Sequence, residues 1–132
     1  MVKIPKEVMD LMAAKETTKL VVSSTKDGKP HAIIAGSIGA PAPDTVVVGE
    51  VLMKKTSANL KENPNAEIVA VAGPKAYSIQ VKAKSRLTEG PELEGMNKAL
   101  AAFNLKAGAV WIFQVCSVHD QGAGPNAGKK LA

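Results

Sequence analysis

The chain has 132 residues, a net charge of +5 from 17 Lys and Arg against 12 Asp and Glu, 45% hydrophobic residues and only 3% aromatic ones. That balance describes one globular domain with an aliphatic core, not a disordered segment. The single cysteine, Cys116, excludes an internal disulfide and a cysteine-rich zinc site, and no stretch approaches the roughly 18 apolar residues of a membrane span.

In chain order, the first segment carries no apolar run after Lys3, so no secretory signal is expected and a cytoplasmic location is. Pro5 suits a first helical turn, and Val8, Leu11 and Met12 then form one apolar face. A strand is expected over Lys19–Ser24. Asp27-Gly28 marks a hairpin turn, and the return strand runs over His31–Gly36 with Pro30 at its first position or on an edge. Ser37–Asp44, with Gly39, Pro41 and Pro43, reads as a loop. Thr45–Val48 is a third strand ended by Gly49, Lys54–Glu62 a helix stopped by Asn63-Pro64, and Ala66–Ala72 a fourth strand. Tyr77–Leu87 alternates apolar and polar residues over its length, the mark of a strand with one wet face. After Gly90-Pro91, the helical spacing of Leu93, Met96, Leu100 and Phe103 predicts a helix. The last strand, Ala109–Val118, is apolar on both faces, which in so small a domain implies that a second chain covers one of them. This order lacks strict βαβ alternation, so the expected fold is mainly β with short helices: six antiparallel strands curled into a small barrel.

Most catalytic chemistry is poorly represented. The basic residues other than Arg86 are scattered lysines and aromatic platforms are few, which speaks against nucleic-acid binding. His31 and His119 lie far apart and seed no metal site. Cys116 is expected to be a buried, inert thiol within its strand. Gly36-Ser37-Ile38-Gly39 lacks the strand-turn-helix setting of a nucleophilic serine.

The informative segment is Gly49 to Leu60, where a strand ends at glycine and a helix opens with Lys54, Lys55, Thr56 and Ser57. Free backbone N–H groups, the positive end of the helix dipole and two lysines make an apt phosphate site. Lysines at a helix start oppose the dipole, so a bound anion would offset their cost. The alternative on spacing alone is a Thr/Ser cap with two solvated lysines.

The sequence Asp27-Gly28-Lys29-Pro30-His31, followed by two strands, Lys55-Thr56-Ser57-Ala58-Asn59-Leu60 and Asn63-Pro64, resembles the flavin-binding split barrels. That group includes pyridoxamine-phosphate-oxidase-like proteins and small FMN-binding proteins, and the resemblance extends over essentially the whole chain. It implies a six-stranded Greek-key split barrel that pairs as a homodimer, with FMN in clefts between the copies. Carried over by position, Lys55 and Thr56 would hold the FMN phosphate with Ser57 and Asn59 close by. Ile34, Ala35, Gly36 and Ser37 would line the isoalloxazine ring, Val48 and Gly49 would approach it, and Trp111 and the tail from Asp120 would come from the partner. Deazaflavin and haem are ligands of some similar proteins. With Arg86 as its sole arginine, this chain lacks the basic contacts that pyridoxine phosphate requires. The expected role is therefore flavin redox chemistry, or flavin carriage or electron transfer, with the electron donor and acceptor unspecified.

Overall fold

The computed structural model describes all 132 residues and begins with helix α1 (Lys6–Ala13). It continues through β1 (Thr18–Ser24), β2 (Pro30–Ile34), β3 (Ile38–Ala42), β4 (Thr45–Gly49), α2 (Lys54–Glu62), β5 (Asn65–Ala72) and β6 (Lys75–Leu87). Helix α3 (Pro91–Leu100), a 3-10 turn (Ala101–Phe103) and β7 (Val110–Asp120) complete it. The strands form one antiparallel sheet in the order β2-β1-β5-β6-β7-β4-β3.

That order explains the shape. β2 and β3 lie at opposite edges of the sheet, yet only Ala35, Gly36 and Ser37 separate them in sequence. So short a link spans at most about 14 Å from Ile34 to Ile38. The sheet must curl until its two edges adjoin, and the link bridges the seam. Pro30 opens edge strand β2, where a missing N–H costs no ladder bond. Gly28 supplies the positive φ of +92° that the β1–β2 turn needs.

The sheet has seven strands, not six. The segment expected to be a loop contains β3, paired with β4 through Ile38–Val48, Gly39–Val47 and Ala42–Thr45 with a shift of register between. Pro41 is tolerated because β3 is an edge strand with a ladder on one side only. Helix α1 begins after Pro5, which takes the N-cap position, and turns Val8 and Met12 inward.

The core is aliphatic, as the composition demands. Val21, Val46, Val48, Ile68, Ile79, Val115 and Val118 are buried around Phe113, the largest fully enclosed side chain. Trp111 lies beside Phe113 with ring centroids 6.5 Å apart. β7 does not present two buried faces. Gln80 pairs with Ser117 and Val81 with Val115, so Cys116 is the extra residue of a bulge. Alternation places Cys116 on the outer face with Gln114, so its thiol is exposed rather than buried, and the bulge lets Val118 turn back inward after it. Phe103, expected on the apolar face of α3, is 73% exposed because the helix gives way to the 3-10 turn before reaching it.

These placements set opposite expectations for two residues of one strand. Phe113→Ala should cost about 3–5 kcal/mol in urea denaturation. Cys116→Ser should change stability by less than about 0.5 kcal/mol; a loss comparable with that of Phe113→Ala would place the thiol in the core.

Candidate functional site

The link across the seam is held at its far end. The Ser37 hydroxyl donates to the Gly49 carbonyl oxygen at 2.7 Å, and the Gly49 N–H donates to the Ser37 carbonyl oxygen at 2.8 Å. The Ala35 N–H donates to the Lys19 carbonyl oxygen at 3.0 Å. A cleft of about 330 Å³ opens between this link, with Ile33 and Ile34, and the segment Val51-Leu52; Leu105 completes its rim. Its apolar residues are unusually bare: Ile34 is 74% and Leu52 96% exposed. Leu52 has φ of +52°, a conformation that costs a bulky residue energy. The chain thus holds an apolar side chain in water on a strained backbone at this one place.

Helix α2 begins two residues beyond Leu52. Its first turn contains no acidic residue, and no side chain caps it. The N–H groups of Lys54, Lys55 and Thr56 have no carbonyl one turn earlier in the helix to receive them. Lys54 and Lys55 are exposed. Lys55 lies close enough to attract the Asp27 carboxylate of the β1–β2 turn, whose pKa is lowered first by the Thr25 hydroxyl and its own backbone N–H. Thr56 is fully buried, and its hydroxyl is the one buried side-chain polar atom without a hydrogen-bond partner. Native interiors rarely leave such a group unpaired. Asn59 anchors the helix to the sheet, its amide donating to the Ser23 hydroxyl at 3.1 Å.

Between cleft and helix sits Glu50. The Arg86 guanidinium grips it with two bonds, Nε to Oε1 at 3.0 Å and Nη2 to Oε2 at 2.7 Å. The Trp111 indole N–H donates to Oε1 at 3.0 Å, and the Ser57 hydroxyl donates to the same oxygen. Arg86 foremost, with Ser57 and Trp111 behind it, pulls the Glu50 pKa down to about 2 from 4.5 against the opposing effect of burial. Arg86 is raised in return by the Glu50 carboxylate. One carboxylate thereby ties the first turns of α2 to β6 and β7.

The structure brings some of the sequence candidates together and disperses others. Ile34, Ala35, Gly36 and Ser37 line the cleft, and Lys55 and Thr56 stand at the adjoining helix end. Ser57 is engaged by Glu50 and Asn59 by Ser23. The Val48 side chain belongs to the core. Gly49 is buried beneath α3: a Cβ there would meet the Met96 side chain at 2.9 Å. Trp111 is buried in its own chain on the Glu50 network. The tail folds back on β7, with His119 bridged to Lys130 and the Val118 N–H donating to the Ala132 carbonyl oxygen at 3.0 Å. No group of three His, Cys, Asp or Glu side chains is placed to hold a metal. Sequence reasoning missed Glu50 and Arg86. The available signal was a lone arginine among lysines, since a planar two-pronged grip on a carboxylate is what arginine does and lysine does not.

No protein-family model and no curated protein matches the chain. Solved structures do. HupZ of Group A Streptococcus superposes with a TM-score of 0.81 at 24% identity, covering 95% of this chain and 99% of that one. An FMN-binding protein from Syntrophomonas wolfei gives 0.79 at 15% identity, covering 88% and 84%. A candidate pyridoxamine 5'-phosphate oxidase from Lactobacillus delbrueckii gives 0.72 at 19% identity, covering 88% and 93%. More distant similarities include an F420 reductase at 0.68 and the heme storage protein HutZ of Vibrio cholerae at 0.63. The likeness to flavin-binding split barrels therefore holds at the level of fold.

The Glu50 network is testable without any ligand. Glu50→Gln should cost about 1.5–3 kcal/mol at neutral pH, the worth of hydrogen bonds to a charged group. Because the folded pKa lies below the unfolded one, this stability is present above pH 4.5 and lost as pH falls towards 2. Urea titrations of the two proteins should converge over that interval; a gap that stays constant to pH 2 would show that the carboxylate charge contributes nothing.

Proposed function

From this fold and cleft, we propose that the chain is an FMN-binding redox protein. The observation that carries the reading is the run from Ile34 to Thr56: an apolar cleft whose wall Val51-Leu52 leads within two residues into a helix start with two exposed lysines and an orphaned hydroxyl. The dimensions and chemistry suit a flat ring joined to a phosphate. Ile34, Ala35, Gly36 and Ser37 would lie along the ring, and Lys54, Lys55 and the free N–H groups of α2 would hold the phosphate. The phosphate would also supply the acceptor that the Thr56 hydroxyl lacks. When bound, FMN supplies hydride and single-electron chemistry; the protein binds it, orients it and excludes water. The cleft walls contain no histidine and no carboxylate, in keeping with electron or hydride transfer without a dedicated proton donor. The sole arginine is consumed by Glu50, so a second phosphate-bearing substrate has no guanidinium to receive it.

The same reading includes a homodimer. Ile34, Leu52 and Leu105 are exposed around the cleft, and a second copy laid over them would cover the ring and remove their apolar surface from water. Turnover with a soluble electron donor would assign an enzyme; bound flavin without turnover would assign a carrier or electron-transfer module. Tight binding of haem in place of FMN would move the chain towards the heme storage proteins of this fold.

Two experiments examine the reading. The double substitution Lys55→Ala with Thr56→Ala should weaken FMN binding about tenfold or more while leaving riboflavin binding nearly unchanged, by equilibrium fluorescence titration. Equal losses for both ligands would remove the phosphate from α2. In sedimentation, the parent chain should run as a dimer and Ile34→Lys as a monomer; a dimer unaffected by Ile34→Lys would take this rim out of the interface.

A further inference from the structure

A second cavity, of about 400 Å³, lies on the other side of the link, between the β3–β4 pair and helix α3. It meets the first cleft at Gly36 and Ser37, which line both. Its form is fixed by packing. Asn97 clamps α3 to the approach to β7, its amide donating to the Ala107 carbonyl oxygen at 3.2 Å and its Oδ1 accepting from the Ala107 N–H at 2.7 Å. Leu100 is the only buried residue of the helix. Met96 rests on Gly49 so closely that a Cβ there would clash, and this contact holds the helix at a set height above the sheet. Between these supports, the facing positions are small: Gly95 and Ala99 on the helix, Gly36 in the link and Gly39 on β3. Gly95 is in mid-helix with nothing within 4 Å of where a Cβ would stand. Alanine would fit there and favour the helix, so glycine keeps the wall bare at a cost in stability.

The lining also fixes the charge of an occupant. No lysine or arginine reaches this cavity, and its one ionic residue is Glu92. The Ser37 hydroxyl is committed to Gly49. The nearest arginine of the strand framework is held by Glu50. A cavity of this size accepts a small organic molecule, and one of these walls would reject an anion.

We propose that this cavity is a binding pocket for a small, largely apolar organic molecule without negative charge, seated beside the cleft and entered past Phe103. That its occupant would face a flavin rests on the proposed function; the pocket itself does not.

The test titrates the isotopically labelled full chain, with and without FMN, using 2-naphthol and its anionic counterpart 2-naphthoate as probes. Naphthol should shift the Gly36, Gly39 and Gly95 amide resonances together and saturably, and naphthoate should bind at least tenfold more weakly. Ala99→Leu should abolish the naphthol shifts while leaving FMN affinity and helical content unchanged. Glycine resonances that ignore naphthol, equal affinity for naphthoate, or shifts that survive Ala99→Leu would each overturn the pocket. Glycine shifts that depend on protein concentration and exclude naphthol would overturn it in favour of a subunit contact. Naphthol binding as described in a chain that takes up no FMN would leave the pocket standing and defeat the flavin reading; the reverse result would do the opposite.

Discussion

The three-residue link from Ala35 to Ser37 is the constraint on which the rest depends. It joins strands at opposite edges of a seven-stranded sheet, and no flat sheet could satisfy it. Curling brings the edges together and encloses the aliphatic core. It also leaves a seam, and a seam covered by three small residues is where a ligand can approach backbone. The two cavities of interest lie on either side of it and share Gly36 and Ser37. Closure of the barrel and creation of the cleft are thus one event. The reciprocal bonds between Ser37 and Gly49 fasten the link to β4. Glycine is required at position 49 because Met96 and Ser37 close over it.

The second determinant is the distribution of charge. A net charge of +5 is a vague property until its cations are sorted. Arg86 is neutralised by Glu50, in a network that braces α2 against β6 and β7. Lys19 is turned inward to the carbonyl oxygens of Met12 and Ile38, and burial lowers its pKa. Lys54 and Lys55 remain at an uncapped helix start beside an unpartnered buried hydroxyl. Two exposed lysines therefore stand at the helix start beside the first cleft, whereas no cation lines the neighbouring cavity. That contrast is the basis for assigning a phosphate to one place and a molecule without negative charge to the other.

How much was legible in the sequence follows from the range of each interaction. The α2 boundaries, the β1–β2 turn and the Pro30 edge position depend on near neighbours, and they were readable. β3 was not, because Gly39, Pro41 and Pro43 make a loop pattern, and only the place of the strand at a sheet edge renders proline harmless. The inward return of Val118 after the exposed Cys116 depends on a bulge set by pairing with β6, which alternation along β7 cannot reveal. The indole N–H of Trp111 is held within its own chain by Glu50, sixty-one positions away, a pairing that no local pattern reveals. In the candidate site, the helix start was found from residue type and spacing, and the link only through the resemblance to flavin-binding split barrels. Glu50, which connects them to the frame, was not, since its partners come from three separate segments.

The central claim is that the cleft and the helix start together form one flavin site. The most direct measurement is the visible absorption spectrum of the full chain during titration with FMN. The account predicts a saturable, red-shifted and structured flavin band at one FMN per chain. A spectrum that remains the sum of free FMN and protein at every ratio would contradict it.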